Sequence, residues 1–245
     1  MEENILKIVE KSCRIHRDVI AVKYLSHREI VEKSYGDLWD DIRKTVVILR
    51  NNGLCGTHIA LVGSSSYEWI CAYMAILFMG NTAVPLDANL SASELHELLN
   101  RSGSTALFCG ASRKDVITEL TDDCPEMNIV FTMEKEVDIE HPEGADSNPQ
   151  LAILSFEQLR NEITIPDDFA FAEQDKDKMC TLMYTSGTTG KSKGVMLSQF
   201  NLAQNVENVF VNLEPGVTIL SVLPIHHAFC LTMEWMKGIS LGATI

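Results

Sequence analysis

None of the seven cysteines, at positions 13, 55, 71, 109, 124, 180 and 230, stands in a C-x-x-C pair, and their number is odd. That scatter argues against a disulfide frame or a zinc site and for reduced thiols in a cytoplasmic protein. Long apolar runs are missing too. The richest stretch, residues 69–80, is about 12 residues long, whereas a membrane span takes about 20, so no transmembrane segment is expected and the stretch reads as a buried helix. The opening residues Met1, Glu2, Glu3 and Asn4 lack the basic-then-apolar plan of a signal peptide. Positive charge is scarce, with 20 Lys and Arg against 34 Asp and Glu and a net charge of −14. A chain without a basic face is a poor partner for a nucleic-acid backbone. The excess is local, since residues 122–178 hold 16 Asp and Glu against 4 Lys and Arg. Such an acidic belt reads as a solvated surface, and no function is assigned to it.

What is present suffices for a substantial core. The 245 residues are 46% apolar, enough for one to two domains. Apolar spacing predicts an amphipathic helix over 4–16, short strands over 19–24 and 29–31, and a helix from Ser34 to about residue 51 that ends at Asn52 and Gly53. A strand over 58–62 is followed by Gly63 and three serines, which either cap the helix at 69–79 or bind an anion. A strand over 82–85, a helix opened by the capping box from Ser91 to Glu94, and strands over 105–109 and 128–132 follow. Beyond the acidic belt come a short helix over 155–159, strands over 179–184 and 195–197, and a helix from Ser198 to about 212. A strand over 217–223, a helix over 228–237 stopped by Gly238, and the beginning of a strand over 242–245 close the chain. Strands alternating with helices across short connections predict an α/β fold, with mostly parallel sheet flanked by helices.

The most informative stretch is M-Y-T-S-G-T-T-G-K-S-K-G-V, residues 183–195, held between the two strands that precede and follow it. Gly187 and Gly190 allow positive φ and close approach to a ligand. Thr185, Ser186, Thr188 and Thr189 add hydroxyl donors, and Lys191 and Lys193 bring positive charge. Successive amides in such a turn make an anion-binding concavity, so the loop reads as a phosphate cradle. A plain flexible hairpin is the bland alternative. A Walker A loop is a second alternative: Gly190, Lys191 and Ser192 fit its last positions, but Thr185 stands where its first glycine belongs, and such a loop opens a helix. Strand or helix over 194–197 decides between a phosphate hairpin and a P-loop NTPase.

The string T-S-G-T-T-G-x-x-K-G closely resembles the phosphate-binding signature of the adenylate-forming superfamily, which includes acyl-CoA synthetases, luciferases and peptide-synthetase adenylation domains. Ser192 replaces the usual proline before the signature lysine. Two more stretches agree. Residues 223–229, L-P-I-H-H-A-F, resemble the family's L-P-x-x-H-x-F segment, and residues 84–95, V-P-L-D-A-N-L-S-A-S-E-L, resemble its P-L-x-x-x-x-S-x-x-E-L element. The resemblance runs from about residue 30 to the last residue, and it implies an acid–thiol ligase: activation of a carboxylic acid, with a fatty acid favoured, to an acyl-adenylate by ATP with Mg2+, then thioester formation with coenzyme A. It implies that Thr185, Ser186, Gly187, Thr188, Thr189, Gly190 and Lys193 grip the ATP phosphates, with Lys193 neutralising charge on the β- or γ-phosphate. It also implies that His227 lies beside the acyl group and the α-phosphate, with Phe229 as its aromatic neighbour; Lys193, Thr188 and His227 are the expected catalytic residues.

Two features bound that implication. Being adjacent, His226 and His227 are expected to point in different directions, so a two-histidine metal site is not expected; one is a solvated loop residue and the other a core histidine in the plain reading. Cys230, Leu231, Met233, Trp235 and Met236 wall an acyl tunnel or simply pack the core. The family's adenine-contacting Y-G-x-T-E segment, magnesium-ligating glutamate, ribose-binding aspartate and C-terminal lid domain with its lysine have no counterpart here. Residues 1–245 are therefore expected to be a fragment, part of an N-terminal AMP-binding domain with its phosphate loop at 182–194, and to be inactive alone. A non-catalytic nucleotide-binding or interaction module is the remaining alternative.

Overall fold

The computed structural model describes residues 2–26, 28–118, 124–134, 151–185 and 192–245. The first helix, α1 (Ile5–Ile15), turns Ile5, Leu6, Ile8, Val9 and Cys13 inward, and the Asn4 side chain caps it by accepting from the Leu6 amide. An antiparallel pair follows, β1 (Ile20–Ser26) and β2 (Glu29–Ser34). Ser34 then caps α2 (Tyr35–Asn51) in a reciprocal box with Asp37.

Among the described residues the main sheet has seven strands: β3 (His58–Val62), β4 (Thr82–Leu86), β5 (Ser104–Cys109), β6 (Ile129–Thr132), β7 (Ala152–Ser155), β8 (Met179–Thr185) and β9 (Lys193–Ser198). Their spatial order is β7-β6-β5-β3-β4-β8-β9, and only the β8–β9 pair is antiparallel. Helices α3 (Tyr67–Phe78), α4 (Ala92–Ser102), α5 (Lys114–Thr118) and α6 (Phe156–Glu162) provide the crossovers. The expected α/β class with a mostly parallel sheet is therefore observed. The β3 residues alternate between two apolar clusters, Ile59 and Leu61 in one with α1, α2 and α3, Ala60 and Val62 in the other with Leu95, Leu98 and Leu99 of α4. Side chains of a strand alternate by face, so this division shows both faces of the sheet covered.

Helix α3 lies in the middle of the larger cluster, with every residue but Glu68 buried. A helix apolar all round belongs in a core, and no helix among the described residues is long and apolar enough to cross a membrane. Glu68 meets the Arg160 guanidinium, Nη2 to Oε1 at 3.2 Å. All seven cysteines are free.

Four readings of the sequence need correction. β7 and α5 were not anticipated; each has at most five residues, too few to show a period. Helix α7 (Gln199–Asn208) ends four residues earlier than the expected 212, and Val209, Phe210 and Val211 beyond it are exposed. The run 217–223 is not a strand: Thr218 makes a single parallel bridge to Thr244, and Leu220 and Val222 are exposed at 83% and 71%. Among the described residues only Thr244 bridges to it, so the apolar alternation has no ladder to join. Gly238 does not stop the last helix either. A π-helical segment (Cys230–Met236) passes into α8 (Lys237–Ser240) straight through it, and the chain turns instead at Gly242, φ 72°. Gly238 is there for space, since a Cβ would lie 2.9 Å from Ile219 Cδ1.

Candidate functional site

Strand order alone singles out two places. In a parallel α/β sheet, ligands settle beyond the carboxyl ends of neighbouring strands whose onward connections diverge. One such pair is β3 and β5, since the chain leaves β3 toward β4 and leaves β5 toward β6. This place is filled by the protein itself. A Cβ on Gly63 would come within 3.3 Å of the Gly110 amide nitrogen, and the Glu134 carboxylate already accepts from the Ala111 amide at 2.6 Å. Two of the three serines are engaged there rather than free for an anion. Ser66 caps α3 by accepting from the Trp69 amide, and the Ser65 hydroxyl accepts from the Ile225 amide at 3.2 Å and donates to the Leu223 carbonyl at 3.3 Å.

The second pair is β4 and β8, and here the three motifs meet. From β4 the chain runs back past β3 through α4, while from β8 it turns outward into β9. Pro85 and Leu86 end β4 and Asp87 follows, so the P-L-x-x-x-x-S-x-x-E-L element leaves from this edge. The hydroxyl-rich loop leaves from the same edge of β8. Thr185 pairs with Lys193 and Tyr184 with Gly194, so 193–198 is strand and not helix, which removes the Walker A reading. Thr185 and Lys193 are exposed at the foot of the hairpin, with the Thr185 hydroxyl 3.5 Å from the Lys193 carbonyl. Ser186, Gly187, Thr188, Thr189, Gly190 and Lys191 lie outside the described residues.

The L-P-x-x-H-x-F segment reaches this place through His226, whose Nε2 is 3.5 Å from the Asp87 carboxylate. Asp87 is fixed in turn: Asn89 donates to it from its amide and side chain at 2.9 and 3.0 Å, and Arg113 Nη1 holds the Ala88 and Leu90 carbonyls. The His226 ring is buried, and among the described residues its Nε2 has no hydrogen-bond partner of good geometry. Burial lowers its pKa from the ordinary value, Asp87 pulls it upward, and His227 adds to the lowering. The two rings do not diverge as adjacency suggested; their centroids are 4.3 Å apart. His227 and Phe229 are exposed, whereas Cys230, Leu231, Trp235 and Met236 are core. Ser65, Asp87, Arg101 and Arg113 went unassigned in the sequence because their partners are distant in the chain; Arg101 Nη2 donates to the Ser192 carbonyl at the hairpin foot at 2.9 Å. Among the described residues no group of three or more His, Cys, Asp or Glu is placed to hold a metal ion.

The family model for the AMP-binding enzyme matches residues 9–245. The chain belongs to the AMP-binding enzyme family. Among its family relatives, it is 25% identical over 252 residues to the putative acyl-CoA synthetase YngI of Bacillus subtilis, covering 98% of this chain and 46% of that protein. It is also 25% identical over 206 residues to a long-chain-fatty-acid–CoA ligase of Salmonella typhimurium, covering 76% of this chain and 36% of that one. The solved anthranilate CoA ligase AuaEII, in complex with anthranoyl-AMP, superposes with a TM-score of 0.84 at 17% identity, over 98% of this chain and 44% of that chain. The chain thus spans less than half the length of the curated relatives it matches.

Proposed function

We propose that the chain serves the ATP-dependent activation of a carboxylic acid, as part of an N-terminal AMP-binding domain with its phosphate loop at 182–194. A carboxylate oxygen attacks the α-phosphorus of ATP, the α–β anhydride bond breaks, and pyrophosphate leaves with the electron pair. The thiol of coenzyme A then takes the acyl group as a thioester and AMP departs. The observation that carries this reading is the T-S-G-T-T-G-x-x-K-G hairpin leaving the carboxyl edge of β8 in a member of this family.

The barrier lies in bringing anions together and in charge growing on the departing pyrophosphate, so oriented donors and cations matter most. Thr185, Ser186, Gly187, Thr188, Thr189 and Gly190 offer hydroxyls and amides to the β- and γ-phosphates, and Lys193 offers the cation. Thr188 and Lys193 are the groups assigned to the leaving pyrophosphate. His227, with Phe229, is assigned the place beside the reacting carboxylate; its ring centre lies 4.3 Å from that of His226, which faces Asp87. Mg2+ would accompany ATP and offset charge on its phosphates.

A fatty acid is the favoured substrate, supported by the Salmonella relative's name. A cytoplasmic setting is supported by the seven free thiols. Residues 1–245 alone are expected not to turn over; carboxylate-dependent pyrophosphate exchange by the purified chain would overturn that expectation. The reading as a whole is tested by titrating ATP into the chain and into Lys193→Ala. Loss of a charged partner lowers affinity by on the order of 1 to 3 kcal/mol; equal affinities would remove the phosphate-grip assignment.

A further inference from the structure

Arg101, on the last turn of α4, touches β8 at Tyr184 and Ser192, the residue that leads into β9. Its Nη2 donates to the Ser192 carbonyl at 2.9 Å, and its guanidinium carbon lies 5.5 Å from the centre of the Tyr184 ring. Nη1 is 3.5 Å from Glu97 one turn back on the same helix. Ser192 immediately precedes Lys193, and Tyr184 immediately precedes Thr185, the residue paired with Lys193. One side chain therefore grips the hairpin on either side of the Lys193 position.

We propose that Arg101 is a positioning residue for Lys193, fixing the root of that side chain against α4. The proposal rests on the reading of the hairpin as a phosphate grip. Strand β9 has only β8 beside it among the described residues, and Lys193 to Met196 are exposed, so neighbouring strands hold it from one side alone. A two-stranded extension is marginal unless something packs on it. Helix α4 can supply that support because it is itself fixed, by the Ser91–Glu94 capping box and by buried Leu95, Leu98 and Leu99. The guanidinium suits the task in a way an ammonium does not: it lies flat on an aromatic ring while its N–H groups reach sideways to a carbonyl.

The test uses the chain with Arg101→Met, Arg101→Lys and Lys193→Ala, reading amide hydrogen exchange at residues 193–195 without nucleotide and ATP affinity by calorimetry. Arg101→Met is expected to speed exchange there about tenfold, as local opening becomes easier. It is expected to weaken ATP binding by about fivefold to tenfold, with the melting temperature within ~2 °C because the site is at the surface. Arg101→Lys keeps the charge but not the plane and is expected to follow the methionine variant. Unchanged exchange in Arg101→Met overturns the anchor whether or not ATP binds. Faster exchange with unchanged ATP affinity, while Lys193→Ala loses ATP, overturns the positioning role. Full restoration by lysine also overturns it, since a remote charge would then suffice. Undiminished binding by Lys193→Ala fails the phosphate-grip reading instead, and with it the role of Arg101 toward ATP.

Discussion

The hydroxyl oxygens of Tyr73 and Thr181 lie 2.7 Å apart with both residues fully buried, joining the central helix α3 to β8, the strand that carries the glycine-rich hairpin. A buried hydroxyl that loses its partner keeps its desolvation penalty, about 1–3 kcal/mol, whereas removing both partners together is nearly neutral. Thr181→Val is expected to destabilise the chain by about that amount, and adding Tyr73→Phe to restore more than half of it. Urea unfolding of the two single variants and the double variant measures this. Additive losses would mean the hydroxyls are not coupled.

Gly238 separates two accounts of the chain's last helix. If glycine were its stop signal, Gly238→Ala would be harmless or would extend the helix, gaining up to about 1 kcal/mol. The structure instead puts the missing Cβ 2.9 Å from Ile219 Cδ1 and 3.1 Å from Ile245 Cδ1. Overpacking of this kind costs about 1–3 kcal/mol, so net destabilisation on the order of 1 kcal/mol is expected after the propensity gain is offset. A raised melting temperature for Gly238→Ala would contradict the packing account.

What the sequence revealed and what it hid divide by the range of the interactions. Ser34 with Asp37 and Ser91 with Glu94 are capping boxes within one turn, and the structure has both. The hydroxyl-rich hairpin was legible for the same reason, being continuous in the chain. Gly238 was misread because its partners, Ile219 and Ile245, come from other segments. The alternating run 217–223 has the pattern of a strand, but pairing is a property of neighbours, and among the described residues only Thr244 bridges to it. Likewise Asp87 was quoted within a motif, but nothing local announces that it faces His226, 139 positions further along the sequence.

Arg160 is nine-tenths buried between the rings of Tyr67 and Phe156, with Glu68 as its ion partner. Removing one member of a buried pair leaves the other charge uncompensated, at a cost of about 3–5 kcal/mol, while replacing both by apolar groups is often neutral. Glu68 keeps a fifth of its side-chain exposure, which places Arg160→Met at the lower end, about 3 kcal/mol. Arg160→Met combined with Glu68→Leu is expected to recover much of the loss. Chemical denaturation decides it, and an Arg160→Met loss below about 1 kcal/mol would mean the pair is solvated after all.

His226 gives the chain a pH dependence whose sign follows from its surroundings. Burial, the largest influence, lowers its pKa below the ordinary 6.5, with Asp87 opposing and His227 reinforcing. Well above pH 6.5 the imidazole is neutral in both folded and unfolded chains and contributes no pH slope. As pH falls through 6.5 the unfolded chain takes up the proton first, so stability is lost, and the loss stops growing once the folded-state pKa is passed. His226→Gln is expected to flatten the fall in melting temperature between pH 7.5 and 5.5. Asp87→Asn, which removes the one influence favouring the charged ring, is expected to steepen it. Parallel profiles for wild type and His226→Gln would show that the ring titrates alike folded and unfolded; a flatter profile for Asp87→Asn would show that the carboxylate, and not burial, governs the ring's charge.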